Sequence, residues 1–201
     1  MKEEQDYIQD IAEIRSMMER SSKFLSLSGW AGIMAGMYAL AGAWIANTVL
    51  GFNPEEIFYI PSSLPKVILL ALLILILALA TAIYFSWKKG HKNGEKIWNA
   101  TSRRLLANMA IPLLAGGILI VILISKGLIG LIAPLTLLFY GLALYNASKF
   151  TFDEVKFLGM IQVGLGLISS WFIEYGLLFW AVGFGVVHIA YGIYIHLKYE
   201  R

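Results

Sequence analysis

Six long uncharged stretches, separated by short segments that hold nearly all of the charged residues, constrain this chain more than any other feature. A helix needs roughly 20 apolar residues to cross a hydrocarbon core about 30 Å thick. The six stretches approach or exceed that length and cover approximately residues 24–49, 67–87, 105–125, 127–148, 157–173 and 175–197. The sequence therefore predicts six transmembrane helices.

The composition supports a membrane protein. Hydrophobic residues make up 59% of the 201 residues and charged residues 14%, whereas soluble domains average about half and about a quarter. What lies outside the six stretches is too short for a separate soluble domain. We predict an all-α fold: an integral membrane bundle of six transmembrane helices in residues 24–201, preceded by an amphipathic cytoplasmic helix in residues 1–23.

The distribution of basic residues predicts the orientation. Fourteen of the 16 Lys and Arg residues lie on the side that holds both chain ends, and only Lys66 and Lys126 lie on the other side. Because basic residues are retained on the cytoplasmic side, we expect a multi-pass protein with cytoplasmic N and C termini. The positive net charge follows from this topology, so it does not indicate nucleic-acid binding.

The N-terminal segment has an apolar stripe. Tyr7, Ile11, Ile14 and Met18 recur at spacings of three and four residues, which places them on one face of a helix. The favoured interpretation is a helix that lies on the bilayer or on its own cytoplasmic loops. The alternative is a docking helix for a cytoplasmic partner or for a second copy of the chain.

Two cytoplasmic segments have specific patterns. The basic segment 88–104 is suited to contact anionic lipid headgroups, although any cytoplasmic loop of this length would be basic for topological reasons. Further on, Thr151 and Glu154 match the capping box that opens a helix, with Phe150 and Val155 at the positions of a hydrophobic staple. This match predicts a structural role for Glu154 at the start of the fifth span.

Small residues indicate which helices pack closely. Glycine and alanine recur every three or four residues along one face of the first span, at Gly29, Gly32, Gly36, Ala39 and Ala43. Such faces let membrane helices approach each other, so the first span is predicted to be central. The second span, nearly all Leu, Ile and Ala, is predicted to be peripheral.

Several classes of chemistry are disfavoured. The chain has no cysteine and three histidines, so thiolate sites are excluded and a histidine-based metal or haem site would need ligands that the chain hardly supplies. No Asp, Glu, Lys or Arg falls near the middle of a span, which disfavours ion-coupled transport. We predict no cofactor, no metal and no catalytic residues.

Uncharged polar residues collect in the cytoplasmic half of the predicted bundle, with arginines just above them. One interpretation is that these groups hydrogen-bond the helices together. The other is a cytoplasm-facing pocket, basic at its mouth, for a small anionic or amphipathic ligand. The candidate residues are Asn108, Tyr140, Tyr145, Asn146, Gln162, His188, Tyr191, Arg103 and Arg104.

Three segments resemble a group of small bacterial polytopic membrane proteins of unknown function: RRLLANMAIPLLAGG, YGLALYNASKFTFDEVKFLGMIQVGLGL and YGLLFWAVGFGVVHIAYGIYIHLKYER. The similarity covers most of the chain from Ile14 onward. It implies six spans and location in the bacterial inner membrane, and it carries no activity or site residue.

Three functional classes follow from the sequence. The first is binding or transport of a small ligand, which the polar residues favour together with prolines and small residues in the spans. The second is a non-catalytic membrane regulator or scaffold that recruits a cytoplasmic partner through the N-terminal helix. The third is an enzyme acting on lipid, for which the sequence has no recognisable catalytic set. The expected partners are membrane lipids, a cytoplasmic protein or a second copy of the chain.

Overall fold

The computed structural model describes residues 23–92 and 98–200, and within these ranges the fold is all-helical, without strands. Six helices follow one another along the described chain. They are α1 (Gly29–Trp44, continued by the π-helical turn Ile45–Val49), α2 (Leu64–Lys92), α3 (Ala100–Ser125), α4 (Ile132–Ala147), α5 (Glu154–Trp171), and α6 (Gly176–Ala181, the π-helical segment Val182–Val187, and His188–Tyr199).

Five helical segments of the described chain are long and apolar enough to cross a membrane by length and composition. They are Gly29–Val49, Leu64–Lys92, Ala100–Ser125, Ile129–Phe150 and Ile173–Tyr199. The segment that is not among them is α5, which includes Glu154, Lys156 and Gln162. The predicted N-terminal amphipathic helix lies outside the described residues, apart from Lys23.

The first helix begins at Gly29, five residues after the start of the predicted span. The residues before it are not helical and are held against the turn Ser148–Phe150 that follows α4 and the neighbouring Thr151. The Phe24 amide donates to the carbonyl of Phe150 at 2.7 Å, and the Thr151 hydroxyl donates to the carbonyl of Phe24 at 2.8 Å. Because its backbone groups pair with another part of the chain, this segment does not need to be helical.

The predicted capping box at Thr151 is wrong. The residue that precedes α5 is Asp153, and no side chain caps the helix there. The Thr151 hydroxyl is engaged with Phe24 instead, and Glu154 binds side chains of α6. A capping box does form at the start of α3, where the Asn99 side chain accepts from the Ser102 amide and Ser102 accepts from the Asn99 amide.

Glycines bring α1 and α6 into backbone contact. A Cβ added at Gly192 would lie 2.5 Å from the carbonyl oxygen of Gly29, and one added at Gly36 would lie 2.6 Å from that of Gly185. Real Cβ atoms do not approach backbone so closely, so larger residues would separate the helices. The close packing predicted for the first span is therefore confirmed.

A second glycine contact joins α4 and α5. A Cβ at Gly141 would lie 2.7 Å from the carbonyl oxygen of Gly159, and one at Gly159 would lie 2.8 Å from that of Gly141.

The helix α2 lies at the edge of the bundle, since its most apolar stretch contains no buried residue. The peripheral position predicted for the second span is confirmed.

The carboxylate of Glu200 joins three helices at the end of the bundle where the chain ends. One oxygen accepts from the Gly29 amide at 2.9 Å and from the Lys89 ammonium at 3.2 Å, and the other lies 2.7 Å from Nδ1 of His196. Lys89 also donates to the carbonyl of Leu27. These contacts fix the start of α1 and the end of α2 against the end of α6.

Candidate functional site

Three of the predicted site residues form a hydrogen-bonded cluster between α4, α5 and α6. The Tyr140 hydroxyl is 3.0 Å from Nε2 of His188. The amide nitrogen of Gln162 donates to the carbonyl of Gly183 at 2.8 Å, and Nδ1 of His188 is 2.9 Å from the same carbonyl. Gln162 is fully buried and His188 is 5% exposed. This cluster connects all three helices inside the bundle.

One tautomer of His188 satisfies both of its ring nitrogens, while Oε1 of Gln162 stays buried without a partner among the described residues. A carbonyl oxygen only accepts, so the contact with Gly183 requires the proton on Nδ1. Nε2 of the neutral ring then accepts from the Tyr140 hydroxyl. The acceptor at Gly183 belongs to the π-helical segment of α6, and such irregular turns occur often at functional sites. The geometry of Tyr140, Gln162 and His188 is that of a hydrogen-bonded link between helices.

The other predicted residues do not join this cluster. Arg103 and Arg104 are exposed on α3, and the Asn108 side chain donates to the carbonyl of Arg104 on its own helix. Tyr145 is 42% exposed on α4, with the Lys156 ammonium 5.9 Å from its ring centroid. Asn146 lies next to it and is partly buried. These five side chains are distributed along the outer parts of α3 and α4.

The ninth residue, Tyr191, lines a groove between α5 and α6. The groove has a volume of about 570 Å³, which is within the range of small-molecule sites, about 300–1,000 Å³. We call it the α5–α6 groove. Its apolar lining consists of Phe157, Leu158, Ile161, Val186, Val187 and Ala190, and its polar lining of Asp153, Glu154, Tyr191, Tyr194 and Lys198.

The polar residues lie where α5 begins and α6 ends, so the groove is amphipathic along its length. The Lys198 ammonium donates to Oε1 of Glu154 and, at 3.3 Å, to the Tyr194 hydroxyl. The Tyr199 hydroxyl donates to the same Glu154 oxygen at 2.9 Å. One end of the groove therefore presents ionised groups, whereas the remainder presents hydrocarbon.

Two polar atoms at this groove are buried and have no hydrogen-bond partner among the described residues. They are Oε2 of Glu154 and the hydroxyl of Tyr191. A buried polar atom without a partner costs about 1–3 kcal/mol, and it calls for a specific explanation. Because both atoms are covered in this conformation, a ligand in the groove would recover that free energy once the Glu154 and Tyr191 side chains rotate toward it.

Glu154 and Lys198 were not among the sequence-predicted site residues. The capping-box match predicted a structural role for Glu154, and Lys198 is 44 residues away from Glu154 along the chain. The positions of the two residues could have indicated the pair. Glu154 lies where α5 begins and Lys198 lies where the antiparallel neighbour α6 ends, so both are at the same end of the helix pair. Periodicity within one helix does not reveal such a pair.

No group of three or more His, Asp or Glu side chains in the described ranges is arranged to hold a metal ion. His188 uses both ring nitrogens within its cluster, and His196 is paired with Glu200. Neither ring is presented to the groove.

Comparison with protein families, curated proteins and solved structures gives no match for this chain. The class of protein is therefore defined by the fold alone: the described residues form an all-helical structure with several helices long and apolar enough to span a membrane.

Proposed function

We propose that this chain is a six-span membrane protein that binds an amphipathic, lipid-like ligand in the α5–α6 groove. The observation that carries the proposal is the groove itself, which combines an apolar channel with an ionised end and two unpartnered polar atoms. A hydrocarbon chain fits the apolar part, and a polar head fits the end that holds Glu154 and Lys198.

The exposure of the groove supports a ligand that comes from the bilayer. Phe157 is 63% exposed, Val186 52% and Tyr194 50%, so its rims face outward from the bundle. In a membrane this surface faces lipid, which supplies ligand without passage through water. The distribution of basic residues supports the orientation: with both termini in the cytoplasm, the ionised end of the groove lies at the cytoplasmic surface.

This proposal relocates the predicted binding site. The sequence offered two interpretations: hydrogen bonds that join the helices, or a pocket that included Tyr140, Gln162 and His188 with arginines at its mouth. In the structure Tyr140 binds His188, both His188 and Gln162 bind the Gly183 carbonyl, and the arginines lie on α3. Tyr191 is the predicted residue that the proposed site retains. Transport is not part of the proposal, because the groove lies along one side of the bundle.

The second function suggested by the sequence, recruitment of a cytoplasmic partner, depends on residues 1–22, which lie outside the described part of the chain. The two functions are separable by deletion of residues 2–20. That deletion leaves every residue of the groove in place, so we expect it to leave lipid binding unchanged, whereas it should abolish recruitment of a partner.

The proposal is tested by filling the groove. Ala190 is exposed within the groove, so Ala190→Trp would occupy space that a ligand needs. Ala80→Trp is the matched control, because Ala80 is exposed on α2, away from the groove. Native mass spectrometry of the purified proteins measures the lipid that remains bound.

We expect Ala190→Trp to lose bound lipid that the wild-type protein and Ala80→Trp retain. Equal amounts of lipid on all three proteins, with unchanged melting temperatures, would overturn the proposal.

A further inference from the structure

We propose that the α5–α6 groove selects a zwitterionic phospholipid whose head carries a primary ammonium group, and that Glu154 and Tyr191 determine this selectivity. The inference rests on the proposed function, since it specifies the head of the amphipathic ligand. It is carried by the balance of charges at the polar end of the groove and by the hydrogen-bonding capacity that remains there.

The charged groups at this end already neutralise one another. Glu154 is paired with Lys198, and Asp153 is paired with Lys23 at 2.9 Å. A head with a net charge would therefore add an uncompensated charge beside two ion pairs whose charges already compensate one another. A head that is neutral overall matches this balance, so the balance favours a zwitterionic head over a purely anionic or purely cationic ligand.

The first unused group is an acceptor. Oε1 of Glu154 accepts from both Lys198 and Tyr199, whereas Oε2 has no donor within the described ranges. Charged N–H donors form the strongest hydrogen bonds to carboxylates. A primary ammonium has three such donors, whereas the quaternary ammonium of a choline head has no N–H and can only approach the carboxylate as a bulky cation.

The remaining groups are donors. The Tyr191 hydroxyl has no partner in the described structure. The Lys198 ammonium makes two hydrogen bonds, to Glu154 and Tyr194, out of three that it can donate. Its side chain is 45% exposed, so a ligand can reach it. A phosphate group supplies the acceptors that these two donors lack.

An ethanolamine phospholipid contains both required groups, since two carbons join its ammonium to its phosphate ester. The ammonium donates to Oε2 of Glu154, and the phosphate accepts from Tyr191 and Lys198. Other common lipids lack one of these features. A choline lipid lacks the N–H donors, a glycerol phospholipid lacks the cation, and a diacylglycerol lacks the phosphate.

The test compares four lipids with identical acyl chains on the full-length protein in a neutral detergent: phosphatidylethanolamine, phosphatidylcholine, phosphatidylglycerol and diacylglycerol. Native mass spectrometry titrations give each dissociation constant. We expect phosphatidylethanolamine to bind about tenfold more tightly than phosphatidylcholine, the size of one hydrogen bond to a charged group. These two lipids share phosphate and net charge, so the difference isolates the N–H donors.

Two variants assign the selectivity. Glu154→Gln removes the carboxylate, and Tyr191→Phe removes a hydroxyl that has no partner in the described structure, so its loss breaks no observed hydrogen bond. Glu154→Gln should reduce the preference for phosphatidylethanolamine over phosphatidylcholine to less than about threefold, because it removes the acceptor that the N–H donors use. Tyr191→Phe should weaken the binding of both lipids equally, because both carry the phosphate, and should reduce their advantage over diacylglycerol. Glu174→Gln is the control, because Glu174 is exposed where α6 begins, at the opposite end of that helix.

The outcomes separate this inference from the proposed function. Equal binding of the ethanolamine and choline lipids to the wild-type protein, with both weakened by Ala190→Trp, would overturn the head selectivity and leave the groove as a lipid site. Tighter binding of phosphatidylglycerol or diacylglycerol would also overturn it. Binding that Ala190→Trp does not weaken would overturn the proposed function instead. If Glu154→Gln fails to fold, the wild-type comparison still decides the head selectivity, and Tyr191→Phe still tests the phosphate contact.

Discussion

The hydroxyl of Tyr140 lies 3.0 Å from Nε2 of His188, so a hydrogen bond between two buried side chains connects α4 to α6. Nδ1 of the same imidazole faces the carbonyl of Gly183, which fixes the tautomer. The ring also stacks on Phe184, with the centroids 5.8 Å apart. His188 is therefore held on every side, which is typical of a group that positions helices.

Removal of the Tyr140 hydroxyl should destabilise the folded chain. In Tyr140→Phe, Nε2 of His188 loses its donor in a site that excludes water, and a buried polar atom left without a partner costs about 1–3 kcal/mol. Thermal unfolding in detergent should show a lower melting temperature. Tyr145→Phe is the control, because that ring is 42% exposed; an equal effect of both variants would contradict this role of the hydrogen bond.

The glycine contact between α1 and α6 should be intolerant of a single methyl group. A Cβ at Gly192 meets the carbonyl oxygen of Gly29 at 2.5 Å, and backbone atoms cannot move aside as a flexible side chain would. We expect Gly192→Ala to lower the free energy of unfolding by about 1–3 kcal/mol.

A matched glycine gives the opposite expectation. A Cβ at Gly164 would have nothing within 4 Å, and alanine is favoured over glycine in a helix by about 0.5–1 kcal/mol. Gly164→Ala should therefore be neutral or stabilising. If both variants unfold at the same temperature, packing at Gly192 is not what limits the approach of α1 and α6.

Acid should lower the stability of the folded protein by protonating the Glu200 carboxylate. Burial by itself would raise the pKa of Glu200, but hydrogen bonds from His196, the Gly29 amide and Lys89 outweigh burial and hold that pKa below its ordinary value of 4.5. A carboxyl whose pKa is lowered by folding contributes stability that is complete above the unfolded pKa and is lost as the pH falls through the folded pKa.

We therefore expect the melting temperature to fall as the pH drops below about 4.5. Glu200→Gln should melt lower than the wild type near pH 7 and should lose part of this acid dependence. Glu174→Gln, with an exposed carboxyl removed, should keep all of it. A Glu200→Gln protein with the full wild-type acid dependence would show that another group is responsible.

The proposed topology can be tested with single cysteines, because the native chain has none. Glu55 lies in the segment between α1 and α2, and Trp98 lies just before α3 and is 68% exposed. In intact cells a membrane-impermeant maleimide should label Glu55→Cys, and it should label Trp98→Cys after the membrane is opened. Labelling of Trp98→Cys alone in intact cells would reverse the orientation.

The helical class of this chain was predictable from local sequence, because apolar runs of membrane-spanning length have few alternatives. The small-residue face of α1 and the lipid-like face of α2 were also predictable, since side-chain size at helical spacing directly determines how closely a helix can pack. The helix boundaries were less predictable. The segment before Gly29 is not helical, and the backbone of Phe24 pairs instead with Phe150 and Thr151, more than 120 residues away.

The candidate site depended on tertiary structure for the same reason. The sequence identified Tyr140, Gln162, His188 and Tyr191 as polar residues that need partners. It did not reveal that the first three are joined through the His188 ring and the Gly183 carbonyl, whereas Tyr191 lines the α5–α6 groove. Glu154 matches a capping pattern in the local sequence, but in the structure it binds Lys198 and Tyr199 of the neighbouring helix α6. By itself the sequence determined which residues are costly to leave unpaired in an apolar medium; only the packing of α4, α5 and α6 decided which partners they meet, because those partners are distant in the chain and near only after folding.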